Sequence, residues 1–140
     1  MIAWGLARYG ETKAAARLLA GLFEAGQYFE LNRMPELFCG FARHAGVGPI
    51  PYPVACSPQA WSAASVLLLI QASLGLDIDA SAARVVFRRP ALPISVPELR
   101  IFDLEVAGGR VDLLLTRHDE DVSVRVLRRS GSEIDVLIEQ

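Results

Sequence analysis

Polar and apolar positions along this 140-residue chain keep two different periods. The first is helical. Ala15, Leu18, Leu19, Leu22 and Phe23 recur at i, i+3 and i+4 spacing, while Lys13, Arg17 and Glu24 fall on other faces. Thr12 is placed to cap this helix and Gly26 to end it. A short helix from Ile2 to Tyr9, stopped at Gly10, precedes it, so residues 1–26 are predicted as a helical hairpin.

Residues 27–56 break every period. Pro35, Pro49, Pro51 and Pro53, with Gly40, Gly46 and Gly48, rule out long regular structure and leave a loop of unusual length. Loops that long in compact domains are functional or disordered, and Tyr28, Phe29, Phe38, Phe41 and Tyr52 argue against disorder. Ser57 as N-cap and Pro58 at the first helical position then predict a helix to about Leu74, with Gly75 as its stop. Its body is apolar nearly all round, so every face of it needs cover.

From Arg84 onward the period is two. Phe102, Leu104 and Val106 alternate with Asp103 and Glu105; Gly108-Gly109 turns the chain; Val111, Leu113 and Leu115 follow, with Leu114 the one break. Val122, Val124 and Val126 repeat the pattern, as do Ile134, Val136 and Ile138. A meander is predicted whose one apolar face carries Phe102, Leu104, Val111, Leu113, Val124 and Val136, with Ile134 and Ile138 beside Val136. The fold class expected is α+β. Residues 1–76 form a helical segment containing the loop 27–56, residues 77–97 a connector in which Pro90, Pro93 and Pro97 cannot donate to a ladder, and residues 98–140 an antiparallel β module that a strand near 84–89 joins.

Composition narrows the partners. With 52% apolar and 21% charged residues the chain can bury one good core or two small ones, and its net charge of −2 provides no broad basic field for nucleic acid or an anionic membrane surface. The stretch from Cys56 to Leu76 carries no charge, but Ser57, Gln59, Ser62, Ser65, Gln71 and Ser73 interrupt it, which is the pattern of a buried helix rather than a membrane span. Two cysteines define no disulfide scaffold and the N-terminus lacks a secretory pattern, so a reducing cytoplasm is expected. Cys39, Cys56 and His44 match no zinc spacing, and neither a metal nor another cofactor is expected. Cys39 and Cys56 read as buried structural thiols, and His118, within Arg117-His118-Asp119-Glu120-Asp121, as part of a solvated hairpin tip.

Two blocks carry candidate chemistry: Met34-Pro35-Glu36-Leu37-Phe38-Cys39-Gly40 and Tyr52-Pro53-Val54-Ala55-Cys56-Ser57-Pro58-Gln59-Ala60-Trp61-Ser62. A carboxylate between Pro and Gly, followed by aromatics and an amide at a helix start, is how a sugar-processing site can look in sequence. The blocks resemble the C-terminal end of the catalytic domain of bacterial and archaeal glycogen-debranching enzymes, the amylo-α-1,6-glucosidase family of six-hairpin α/α toroids. That resemblance implies that Glu36 is the general base of a glycoside hydrolase, whose general acid lies on an earlier hairpin to which no segment here corresponds. Glu30, the internal rival, lacks the Pro and Gly neighbours. Tyr52, Gln59 and Trp61 are the expected substrate-binding residues, Trp61 by stacking on a sugar ring and Gln59 by bonding a hydroxyl, with core filling as the other role open to Trp61.

The resemblance also implies a segment of a larger enzyme. A toroid takes six hairpins and this chain supplies material for two, while Met1 to Gly10 is similar to the penultimate hairpin without its upstream part. An α-glucan or oligosaccharide is the implied substrate, and isolated activity is not expected from one carboxylate of a pair. Since the apolar helix after Ser57 outstrips the cover available, the chain is expected to need the missing hairpins or a second copy of itself, most simply in a two-fold dimer. The alternative is a non-catalytic module that binds carbohydrate or another chain.

Overall fold

A computed structural model describes residues 1–119 and 121–139. The chain is α+β: helices α1 (Ile2–Arg8), α2 (Thr12–Gly26) and α3 (Ala60–Ser73) come first, then strands β1 (Leu76–Asp79), β2 (Arg84–Arg88), β3 (Glu98–Val106), β4 (Gly109–Arg117), β5 (Val122–Gly131) and β6 (Asp135–Glu139). No helix among the described residues is long and apolar enough to cross a membrane.

The α1–α2 hairpin forms where the sequence places it. Gly10 takes φ +82°, Glu11 N–H donates to Leu6 O at 2.9 Å and Gly10 N–H to Ala7 O at 2.9 Å, a Schellman ending that turns the chain. Thr12 does not cap α2. Its hydroxyl donates instead to Arg89 O, tying the helix start to the end of β2, and Glu11 holds the cap position without a side-chain bond. The buried face of α2 is also rotated from the expected stripe: Ala15, Ala16 and Leu19 are buried, whereas Leu18 and Phe23 are exposed. Small side chains explain the shift, since Ala3, Ala15 and Ala72 let three helices approach closely around Leu19 and Leu69.

The third helix begins at Ala60, two residues later than its Ser57-Pro58 signal places it. Gln59 N–H is taken by Met34 O at 3.0 Å, which keeps Gln59 extended, and its side-chain oxygen accepts from Ala60 N at 3.1 Å to start the helix there. Nor is α3 covered all round. Ser62, Leu69, Ala72 and Ser73 are buried, but Trp61 and Leu67 are 61% and 72% exposed.

The strands form two sheets. The connector 77–97 contains most of the β1–β2 hairpin, and β6 pairs in parallel with β2, giving the order β1-β2-β6; β3, β4 and β5 make the antiparallel meander. Val85, Val86 and Phe87 are all buried because β2 is the central strand of its sheet, and Arg88 reaches both neighbours, to Asp77 and Glu139 at 2.8 Å each. Leu74, Phe87, Leu92, Val111, Leu113 and Leu115 lead the core between the sheets. Ile134 is buried in it just before β6, while Ile138 on β6 is 42% exposed, so Ile134, Val136 and Ile138 do not share the meander face.

Phe102 leaves that face as well. Between the pairs Ile101–Leu113 and Leu104–Val111 two residues of β3 oppose one of β4, a bulge in which Asp103 takes φ +50° and Phe102 is turned out to 64% exposure. The turn between β3 and β4 centres on Ala107-Gly108, both at positive φ, so Gly109 is already the first residue of β4.

Candidate functional site

The long loop is held by backbone bonds. After α2 a short 3₁₀ turn, Glu30–Asn32, reverses the chain, and Met34 and Pro35 are buried. Glu36 N–H donates to Cys56 O at 2.8 Å, Cys39 N–H to Ile50 O at 2.9 Å, and Phe38 bridges Pro51. Ser62 Oγ donates to Glu36 O at 3.3 Å, and Phe29 stacks on Phe38 with ring centroids 6.4 Å apart. The two blocks singled out in the sequence therefore lie against each other, the first laid along the chain that leads into α3.

Glu36 is half-buried at their junction. Its Oε2 accepts from Cys56 N–H at 3.3 Å, and no hydrogen bond among the described residues reaches Oε1. A concavity of about 280 Å³ opens beside it, lined by Leu22, Met34, Pro35, Leu37, Phe38, Ser62 and Ser65 as well as Glu36. Glu36 is the only carboxylate in that lining among the described residues. A carboxylate anchored through one oxygen and open at the other can take a proton from a bound water.

Tyr52, Gln59 and Trp61 stand outside the lining. Tyr52 is exposed on the turn that Ala55 N–H closes at 3.0 Å, Gln59 spends its amide oxygen on the α3 cap, and Trp61 lies on the outer side of α3. Their places in the concavity are taken by Phe38, Ser62, Ser65 and Leu22. Of these, Phe38 belongs to the first block, and Ser62 and Ser65 are three apart on one helix face. Glu30 is exposed at the 3₁₀ turn.

The chain matches no family model, no curated protein and no solved structure. Among the described residues no three His, Cys, Asp or Glu side chains are grouped so as to hold a metal. Cys39 is half-buried with its thiol 3.8 Å from Pro51 O, and Cys56 is exposed rather than buried, because its backbone, not its side chain, is what the loop uses. His118 is exposed at the β4–β5 turn with Nε2 2.9 Å from Ser123 Oγ.

Proposed function

We propose that this chain is the closing segment of a cytoplasmic glycoside hydrolase of the debranching α-1,6-glucosidase type, acting on α-glucans or oligosaccharides with Glu36 as general base. One observation supports this reading above the others: the two blocks on which the resemblance rests are folded together and turn their single acid toward a concavity. In an inverting reaction the base stands roughly 6.5–9.5 Å from the acid, leaving room for a water between base and sugar. Glu36 takes that water's proton as its oxygen bonds to the anomeric carbon, and the acid, on a hairpin outside this chain, protonates the departing glycosidic oxygen. The Ser62 and Ser65 hydroxyls, which donate to Glu36 O and Ser62 O, keep lone pairs that accept from sugar hydroxyls, and Phe38 gives a flat apolar surface.

The test is glucose release from a branched maltooligosaccharide by the enzyme carrying all its hairpins. Glu36→Gln is expected to lower kcat about a thousandfold, with the melting temperature unchanged. Retained turnover would sink the assignment. A second reading, a module that binds carbohydrate or another chain without catalysis, is favoured by the exposed apolar residues of α3 and of the loop; under it Glu36→Gln leaves turnover untouched.

A further inference from the structure

A larger concavity, about 570 Å³, lies where α2 meets the Pro90–Ser95 connector and the β4–β5 turn. Its volume falls within the roughly 300–1,000 Å³ usual for small-ligand sites, which favour seams of this kind and combine apolar walls with a few converging polar groups. The walls here are apolar: Ala16, Leu92, Pro93 and Val122 are buried residues of the lining. Arg17 from α2 and Arg117 from the end of β4 enter the same space.

Arg117 is the informative group. Its backbone N–H donates to Pro97 O at 2.9 Å, which fixes the residue, yet its side-chain Nε is buried and has no acceptor among the described residues. A buried donor on a charged group is rarely left without a partner, because it has lost water and gained nothing in exchange. The acids nearby do not serve it. Glu24 is engaged by Arg43 at 2.7 Å, and Asp119 and Asp121 stand exposed on the turn, where water and salt screen them. The Arg117 guanidinium shares its charge among three nitrogens, and Nε alone of them is buried without a partner among the described residues, so the Nη groups are the ones a ligand in the concavity reaches. Lys13, on the same side of α2, has a partner of its own.

We propose that this concavity binds a small organic anion, whose carboxylate or phosphate accepts from Arg117 with Arg17 beside it and whose uncharged body rests on Leu92, Pro93 and Val122. The planar guanidinium suits either kind of head group. The site does not depend on the role given to Glu36, which lines a different concavity.

Calorimetric titration of the 140-residue chain tests it with two anions, benzoate and glucose 6-phosphate, and their neutral counterparts, benzyl alcohol and glucose. At low salt at least one anion is expected to bind with Kd below about 1 mM, and the neutral compounds tenfold or more weakly. Preference between the two anions tells a carboxylate on an apolar body from a phosphate on a polyol. Arg117→Gln should weaken the favoured anion tenfold or more, with circular dichroism and melting reporting the fold. Should that variant not fold, Arg17→Gln, on the exposed surface of α2, is expected to weaken it several-fold. Failure of both anions to saturate by about 10 mM, equal binding of the neutral compounds, or unchanged affinity in the folded variants would overturn the proposal.

Discussion

Asp112 sits almost out of solvent on the outer face of β4, and three groups converge on it: Arg128 Nε at 2.7 Å, Arg128 Nη2 at 3.2 Å and the Asp103 backbone N–H at 2.8 Å. Arg128 first, and the Asp103 N–H second, hold its carboxyl below the usual carboxylate range. A carboxyl whose folded value is depressed stabilises the fold above its unfolded value, near pH 4, and loses that contribution as pH falls through the folded value. The melting temperature is therefore expected to drop on acidification below about pH 4, and the gap between the parent and Asp112→Asn to narrow as it does. Melts between neutral pH and pH 2.5 check this; a gap independent of pH would show that another group is responsible. The bulge that delivers Asp103 N–H to Asp112 is the one that expels Phe102. Alternation in sequence assigns side chains to faces only while pairing is unbroken, so Phe102 was misplaced although Leu104, Val111 and Leu113 beside it were not. Glu36 stood out in its block, and Met34, Pro35, Leu37 and Phe38 of that block line the same concavity, whereas Leu22 comes from α2 and Ser62 and Ser65 from α3, and only the folded chain brings those to it.

Gly75 joins the two halves of the fold at the level of elements. It ends α3 at φ +55°, and a Cβ there would overlap Arg88 O, whose own N–H donates to Gly75 O at 3.0 Å. Gly75→Ala should cost at least about 2 kcal/mol, from the left-handed backbone and the lost close approach together, read as a lower urea midpoint; an unchanged midpoint would mean that the chain relaxes freely at this junction. The stop was readable from sequence, but what it stops against was not. In the same way Leu76 and Ile78 alternate with Asp77 and Asp79 as a strand should, yet four residues beside a proline-rich connector are too short to stand out. Period two tells which face a residue occupies and says nothing of the partner strand, which is why β6 read as a fourth strand of the meander when it pairs in parallel with β2. Leu113 is the sharper test of the meander core. It is fully buried on β4, and Leu113→Asp should unfold the module, because an unpaired buried carboxylate costs several kcal/mol; a variant that melts like the parent would place the core elsewhere.

Across the whole molecule the helical and β parts are locked together. Ile70 packs on both cores, Ala91 N–H donates to Ser73 O at 2.8 Å, and Gln71 donates to Leu76 O at 3.2 Å. One side of α3 faces inward and is used up by these contacts. The other carries Ala60, Trp61, Ala64, Leu67 and Leu68, spaced at i, i+1, i+4, i+7 and i+8 and all exposed. Phe41 and Val54 of the long loop are exposed as well. Leaving a Trp and two Leu side chains of one helix face in water forfeits about 1.5–3 kcal/mol for each large side chain that could be buried, and contiguous patches of several hundred Å² are rare on monomers. The 140-residue chain is thus expected to self-associate through α3, as a dimer whose two-fold axis sets one α3 face against its copy. Sedimentation velocity at micromolar concentration should show a dimer, and Leu67→Lys, which places a charge at the centre of the face without touching either core, should return it to monomer with its fold intact. A parent that sediments as a clean monomer would remove both this contact and the case for α3 as a surface awaiting further helices.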